Sequence, residues 1–273
     1  MTVFFLAASA LGMLVFFLLR LREERGGRQG PVSRISGAET IGDAELLQDV
    51  HKSVMGEVSV LLAIADGTGS GGSGKLAAGL AADVAVSLYA ANEAACVRQP
   101  AYYFRRAFYS ANKRLLALMG DGAGRASAAL ALVVDGCLHY GVVGSCRVAL
   151  FRQGDLIPLC EGQTISAAAR KRYREGKLSR REAAALLDEE RAYNFLGQDG
   201  LSGPELSPEP VPLEKGDLVV LMTEGVFHAL SWRSIEEALA EREAARVIEQ
   251  VRRAPGDGKD NASLLLMDYQ GDY

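Results

Sequence analysis

The sequence predicts an α+β fold in which helix pairs accompany antiparallel sheet, and three observations carry that expectation. A run rich in Val, Leu and Ile that starts at Glu57 ends abruptly at Asp66-Gly67, as a strand buried on both faces would. From Ala126 onward four short apolar runs, ASAALALVVD, CLHYGVVG, CRVALFR and LIPLC, are separated by Asp135-Gly136, Gly144-Ser145 and Gly154-Asp155. Asp-Gly between apolar runs is a hairpin signal, so this region is expected to form an antiparallel meander. The helical stretches come in pairs, not in the strict alternation with strands that a doubly wound sheet shows.

A chain of 273 residues, 49% hydrophobic and 23% charged, suffices for one large domain or two small ones. Its net charge of -4 and pI near 5.6 argue against a nucleic-acid partner, because binders of the phosphate backbone carry a dominant basic face. The basic stretch RKRYREGKLSRR from Arg170 to Arg181 reads as a solvated helical surface. Cys96, Cys137, Cys146 and Cys160 form no CxxC pair and no zinc spacing, so they are expected as small core residues in a reducing compartment. His51, His139 and His228 lie far apart and are taken as structural or surface residues.

At the N-terminus, Thr2 to Leu19 contains no charge and is long enough to span a bilayer. Nothing basic precedes it, and RLREERGGR follows it, which suits an anchor better than a cleaved signal. Arg20, Arg22, Arg25 and Arg28 flank the span on its C-terminal side, so the positive-inside rule places the N-terminus outside and the rest of the chain in the cytoplasm. The expected organisation is an anchor over 1–21, a polar glycine-containing linker over 22–36 and a folded domain over 37–273.

Within that domain, Leu76, Leu80, Val84 and Leu88 predict a packed stripe on a helix from Lys75 to Ala91. A second helix is expected from Pro100, well placed at its first turn, to about Met119, before Asp121-Gly122-Ala123-Gly124 breaks the chain. Ser166 to Arg191 reads as two charged helical segments divided by Gly176, an exposed flap. Val219 to Thr223 is a further buried strand ending in Glu224-Gly225, Ile235 to Val251 an amphipathic helix, and Asp260-Asn261 directly precedes a last strand, ASLLLMDY.

Asp66, Glu224 and Asp260 thus each border a strand beside Gly or Asn. Three convergent carboxylates would suit a hard divalent cation such as magnesium or manganese, whereas each alone also suits a turn. The stretch GSGGSGKL from Gly69 to Leu76 nearly matches a phosphate-cradling loop, but Leu76 replaces the hydroxyl that would hold magnesium. The domain also lacks the strand–helix alternation that such loops accompany.

Taken in order, the segments resemble the metal-dependent Ser/Thr protein phosphatases of the PPM (type 2C) family. Gly42 to Asp49, GDAELLQD, is similar to the family's opening G-x-R-x-x-x-E-D, and DGTG from Asp66 looks like its D-G-M-G or D-G-H-G turn. VGSCR from Val143 resembles V-G-D-S-R, and EGKLSRREA from Glu175 resembles the flap pattern E-G-x-I-x-x-E-E-A. NFLG from Asn194 resembles a shortened N-x-L-x-x-x-L-G, TEG from Thr223 stands where the family has S-D-G, and Asp260-Asn261 matches its D-N. The resemblance implies a sandwich of two antiparallel sheets flanked by helix pairs, with a site for two manganese or magnesium ions at one edge. It further implies hydrolysis of phosphoserine or phosphothreonine in a protein substrate by a water held between the ions. By position Asp66 would bridge both metals, the Gly67 carbonyl would bind one, Glu224 and Asp260 would complete the other, and Asp49 would orient the attacking water. Gln48 takes the place of a second-metal Glu.

Four positions depart from the family pattern: Ala44 for the phosphate-binding Arg, Gln48 for Glu, Glu224 for Asp and Ser145 for the Asp of the G-D-S hairpin. Loss of the Arg removes charge-assisted hydrogen bonds worth about 1.5–3 kcal/mol each. A Glu in place of Asp displaces the ligating oxygen by about a bond length. The resemblance with these departures implies a membrane-anchored, cytoplasm-facing phosphatase-like protein of weakened or lost activity. Its alternative is a fully inactive pseudophosphatase that binds a regulatory protein partner.

Overall fold

The computed structural model describes residues 33–120 and 123–273, so the expected span over 1–21 and most of the linker fall outside the described residues. Strand β3 (Ser59–Thr68) is buried over nearly its whole length, as its apolar run predicts. Its residues alternate between two cores. Leu61, Ala63 and Ala65 pack with helix residues, while Val60, Leu62 and Ile64 pack with a second sheet.

One sheet orders its strands β2 (Val50–Met55), β3, β4 (Arg125–Val134), β5 (Cys137–Val143) and β8 (Glu205–Leu206), with β9 (Val211–Pro212) also on β5. The other runs β1 (Arg34–Thr40), β11 (Ala262–Asp268), β10 (Leu218–Met222), β6 (Arg147–Arg152) and β7 (Asp155–Pro158). All the pairings are antiparallel, and Val148, Leu150, Val219, Leu221, Leu265 and Met267 close the seam between the sheets.

Helices cover the outer faces. Helix α1 (Ser73–Ala91) and helix α3 (Pro100–Met119), joined through the short α2 (Glu93–Arg98), lie on the β3 sheet. Against the other sheet pack α7 (Trp232–Leu239) and α8 (Ala244–Arg253), through Ile235, Leu239, Val247, Ile248 and Val251. The expected sandwich flanked by helix pairs is therefore the observed architecture.

Five expectations change in detail. The meander breaks after β5, because β6 belongs to the opposite sheet; the chain crosses the seam at Gly144-Ser145. The Asp135-Gly136 hairpin before it forms as expected, with φ of 50° and 69° at the two turn residues. On α1 the buried face is not the leucine stripe: Ala77, Ala78, Ala81, Ala82 and Ala85 face the core while Leu76 is 51% exposed. Alanines let the helix lie close to the sheet, and this is also the one described helix long and apolar enough to cross a bilayer. The single helix expected over Ile235 to Val251 is two, since the chain turns between α7 and α8 with Arg242 at φ 58°. Strand β1 begins at Arg34, inside the stretch read as linker; it pairs only with β11 at the sheet edge and is half exposed, so it carries no apolar run to announce it. Glu224 does not end a strand but opens helix α6 (Glu224–Ala229).

The flap keeps its two helical pieces, α4 (Ile165–Arg174) and α5 (Arg180–Ala184), with Gly176 between them. Thr164 caps α4 through its side chain, and Ser179 with Glu182 forms a capping box on α5. The basic residues lie on exposed surface, with Arg170 and Arg174 paired to Glu161. All four cysteines are free; Cys96, Cys146 and Cys160 are buried, as a core role requires, whereas Cys137, at the start of β5, is only half-buried.

Candidate functional site

The site forms where the seam between the sheets opens. Asp66 continues the even-numbered series Val60, Leu62, Ile64 of β3, so its side chain falls on the inter-sheet face one step beyond the apolar residues. Register does the rest. Asp66 lies opposite Ser127 of β4, and Thr68 opposite Arg125, which puts all four on one face. Gly67 permits the first turn of α1 to close over the strand: a Cβ there would stand 2.2 Å from the Gly74 carbonyl oxygen and 2.8 Å from that of Gln48.

Glu224 arrives from the opposite sheet at the start of α6, and with Asp66, Thr68, Arg125, Ser127, Ser145, Arg191 and Phe195 it lines a cavity of about 360 Å³. Ser145 donates its N–H to Ser127 Oγ at 3.0 Å and shares a hydroxyl contact with it at 3.1 Å, forming the cavity's polar floor. Asp260 is exposed and lines a neighbouring recess with Gly225 and His228. Asp49, 3% exposed, lies beneath: its Oδ2 accepts the Thr223 hydroxyl at 2.8 Å, while its Oδ1 has no partner among the described residues.

Electrostatics shows that these carboxylates share one environment. Burial pushes the Asp66 carboxyl well above its ordinary range, and the charges of Asp49, Glu224 and Asp260 push it further, with a hydrogen bond from the Glu224 backbone opposing them. Asp49 is raised to about 6, by burial first, with the Thr223 hydroxyl and the nearby Ser263 hydroxyl pulling down and Asp260 and Glu39 adding to the rise. Cys146, buried behind Asp66, is pushed well above the usual thiol range by burial and then by Asp66, so it stays a protonated, unreactive thiol.

Asp66, Asp49, Glu224 and Asp260, singled out from the sequence, are thus brought to one end of the seam. Gln48 is held differently. Its N–H donates to Asn261 Oδ1 at 2.6 Å, and its Oε1 is buried, without a hydrogen-bond partner among the described residues, against Gly74. Ala44 brings no charge. His228 has a neighbour that its sequence reading missed, Glu224 one helical turn earlier with an Nε2 to Oε1 distance of 3.5 Å; the i, i+4 spacing was the available signal. Arg125 and the aromatic ring of Phe195 beneath its guanidinium also escaped sequence reasoning, since nothing local marks them.

The donors fit a hard divalent cation by chemistry. Carboxylates raised against one another and two orphaned buried oxygens, on Gln48 and Asp49, are what a positive ion would relieve. Among the described residues no three His, Cys, Asp or Glu side chains stand together as a ready set of ligands. The fit is thus one of charge and donor type, with side chains still apart.

Neither a protein-family model nor a curated protein sequence matches the chain. Solved structures do. The serine/threonine phosphatase of S. agalactiae matches with a TM-score of 0.73 at 20% identity, over 88% of this chain and 100% of that one. The Mycobacterium tuberculosis serine/threonine phosphatase PstP/Ppp matches with a TM-score of 0.72 at 22% identity, over 88% and 99%. A PstP catalytic domain in complex with two manganese ions gives 0.67 at 22%, over 87% and 98%. Together with the two-sheet, helix-flanked architecture, these likenesses show that the chain has the fold of the bacterial PPM-type serine/threonine phosphatases.

Proposed function

We propose that the protein is a metal-dependent phosphoprotein phosphatase of weakened activity, anchored by Thr2–Leu19 with its domain in the cytoplasm. The observation that supports it best is the group Asp66, Asp49, Glu224 and Asp260 at the mouth of the seam, none of which has a Lys or Arg ion-pair partner among the described residues. Asp66, Glu224 and the Gly67 carbonyl would hold a manganese or magnesium ion, with Asp260 and Gln48 as the further oxygen donors. When bound, such ions supply charge stabilisation to a phosphoryl group and lower the pKa of water. Asp49, held by the Thr223 hydroxyl beneath the group, would orient the attacking water through its carboxylate. A phosphoserine or phosphothreonine protein is the substrate class, by analogy with the neighbours of this fold.

The uncharged Ala44, at the position where the resemblance implies a phosphate-binding arginine, favours a second reading, an inactive module that keeps the fold and binds a regulatory partner. The full-length chain in detergent, assayed with an aryl phosphate and a phosphothreonine peptide at saturating manganese, separates the two. Slow hydrolysis lost in Asp66→Asn supports the enzyme; manganese binding by calorimetry without hydrolysis supports the module. The double variant Ala44→Arg, Glu224→Asp is expected to raise turnover, and no gain would tell against this placement of the site. For the anchor, protease added to intact cells is expected to leave the domain uncut.

A further inference from the structure

The cavity at the seam has an acidic end and a basic one. Asp66 and Glu224 form the first; Arg125 and Arg191 line the second. The two arginines are not equivalent. Arg191 is committed to Glu189, donating to both its carboxylate oxygens at 2.7 and 3.0 Å. Arg125 makes no ion pair with a described residue; its guanidinium instead lies over the Phe195 ring, 5.3 Å from the centroid.

The segment that carries that ring is pinned from both sides. Leu196 next to Phe195 exchanges both backbone hydrogen bonds with Ala126, at 3.0 and 2.8 Å, and Asn112 of α3 accepts the Gly197 N–H at 2.6 Å and donates to the Gln198 carbonyl at 3.1 Å. Asn194, wholly buried, binds Gln163, Gln198 and Ser202 on the other side. With its guanidinium over the ring, Arg125 stands two residues along the β3–β4 ladder from Asp66, and its donors are not committed to a described carboxylate. The guanidinium fork remains open for a planar or tetrahedral oxyanion.

Resting on the phosphatase-like reading above, we propose that Arg125 grips the phosphoryl oxygens of the phosphopeptide, supplying a positive charge that Ala44 does not. The phosphoryl group would then lie between the carboxylate end of the cavity and the guanidinium, with the Ser127 and Ser145 hydroxyls beneath it.

The test is binding of a phosphothreonine peptide and of its unphosphorylated twin to the full-length chain in manganese, by fluorescence anisotropy, with manganese affinity measured separately by calorimetry. Arg125→Ala is expected to weaken phosphopeptide binding by about 10- to 100-fold, with the unmodified peptide and manganese unaffected. Arg125→Lys keeps part of the affinity, Phe195→Ala loses part of it, and Arg191→Ala changes little. Arg125 is exposed, so its substitution leaves folding intact, and thermal unfolding of each variant verifies this. Equal phosphopeptide affinity in wild type and Arg125→Ala, or a loss confined to Arg191→Ala, overturns the assignment while leaving the phosphatase-like reading in place. A wild-type chain that does not distinguish the two peptides overturns both.

Discussion

The two-sheet sandwich carries acidic groups at both ends of its strands and treats them in opposite ways. At the end away from the cavity, Asp217 is buried to 2% exposure, yet Arg152 donates to both its oxygens at 2.9 and 2.6 Å and the Glu214 N–H adds a third bond at 2.7 Å. Beside it Arg242 holds Asp268 at 3.0 and 2.8 Å. At the cavity end Asp66 and Asp49 are buried with no basic partner among the described residues, and each is raised by that burial first and by acidic neighbours second. The chain therefore neutralises acids where it needs only stability. It leaves them without a basic partner at the cavity end, where the proposed cation would take that place, and burial without pairing is costly.

Removing the pairing at the far end should turn it into a copy of the cavity end, and this is the largest effect expected. Arg152→Ala strands a buried carboxylate and should cost about 3–5 kcal/mol in urea unfolding. Asp66→Asn, measured in chelator, should instead leave stability unchanged or raise it. A similar loss in both variants would erase the contrast between the ends.

Manganese should shift the cavity end alone. At a free concentration 100 times its dissociation constant, one bound ion would stabilise the fold by about 2.7 kcal/mol, visible as a rise in unfolding temperature. Asp66→Asn should abolish that rise while Asp268→Asn retains it. If wild type unfolds at one temperature with and without manganese, the carboxylates are not held for a cation.

Acid should act on the two ends with opposite sign. A carboxyl whose pKa is higher in the folded chain is protonated preferentially there. Asp49, at about 6 against an ordinary 3.8, thus contributes stability that is complete below about pH 4 and is lost as pH rises through 6, a loss of roughly 3 kcal/mol. Burial acts to raise Asp268 as well, but the hydrogen bonds and charge of Arg242 outweigh it and hold the group below its usual range. Its contribution is present above about pH 4 and is lost as pH falls through the folded value. In chelator, Asp49→Asn should flatten the decline between pH 4 and 6, and Asp268→Asn should flatten the acid limb; urea midpoints against pH read both.

These contrasts also show what the sequence could reveal. Runs such as SVLLAIAD announced β3 and its terminal carboxylate because a doubly buried strand must be apolar throughout, and Asp135-Gly136 announced its hairpin because both turn residues need positive φ. The sheet to which β6 belongs was not legible. Gly144-Ser145 looks like any hairpin turn, and only the non-local pairing of β6 with β10 decides that the chain crosses the seam. Likewise α1 hid its buried face, because alanines contribute little to an apolar stripe although they permit the closest approach. Asp66, Glu224 and Asp260 could be grouped before the fold was known, through their shared place beside Gly or Asn. Arg125 could not, since the role proposed for it depends on lying across from Thr68 and over the ring of Phe195, two positions far from it in sequence.

The smallest effect is expected at His228, which faces Glu224 across one turn of α6 and meets Phe227 edge-on at 5.5 Å between ring centroids. Its side chain is 46% exposed, so His228→Ala in chelator should change stability by no more than about 0.5 kcal/mol, the scale of a solvated i, i+4 pair. The sharper measurement is the manganese-induced rise in unfolding temperature in that variant. If Glu224 turns its carboxylate to a cation with Asp66, the pair with His228 is expendable and the rise should match wild type. A rise cut by half or more would make His228 a ligand in its own right and move the cation toward the recess lined by Asp260, because His228 lines that recess and not the cavity shared by Asp66 and Arg125.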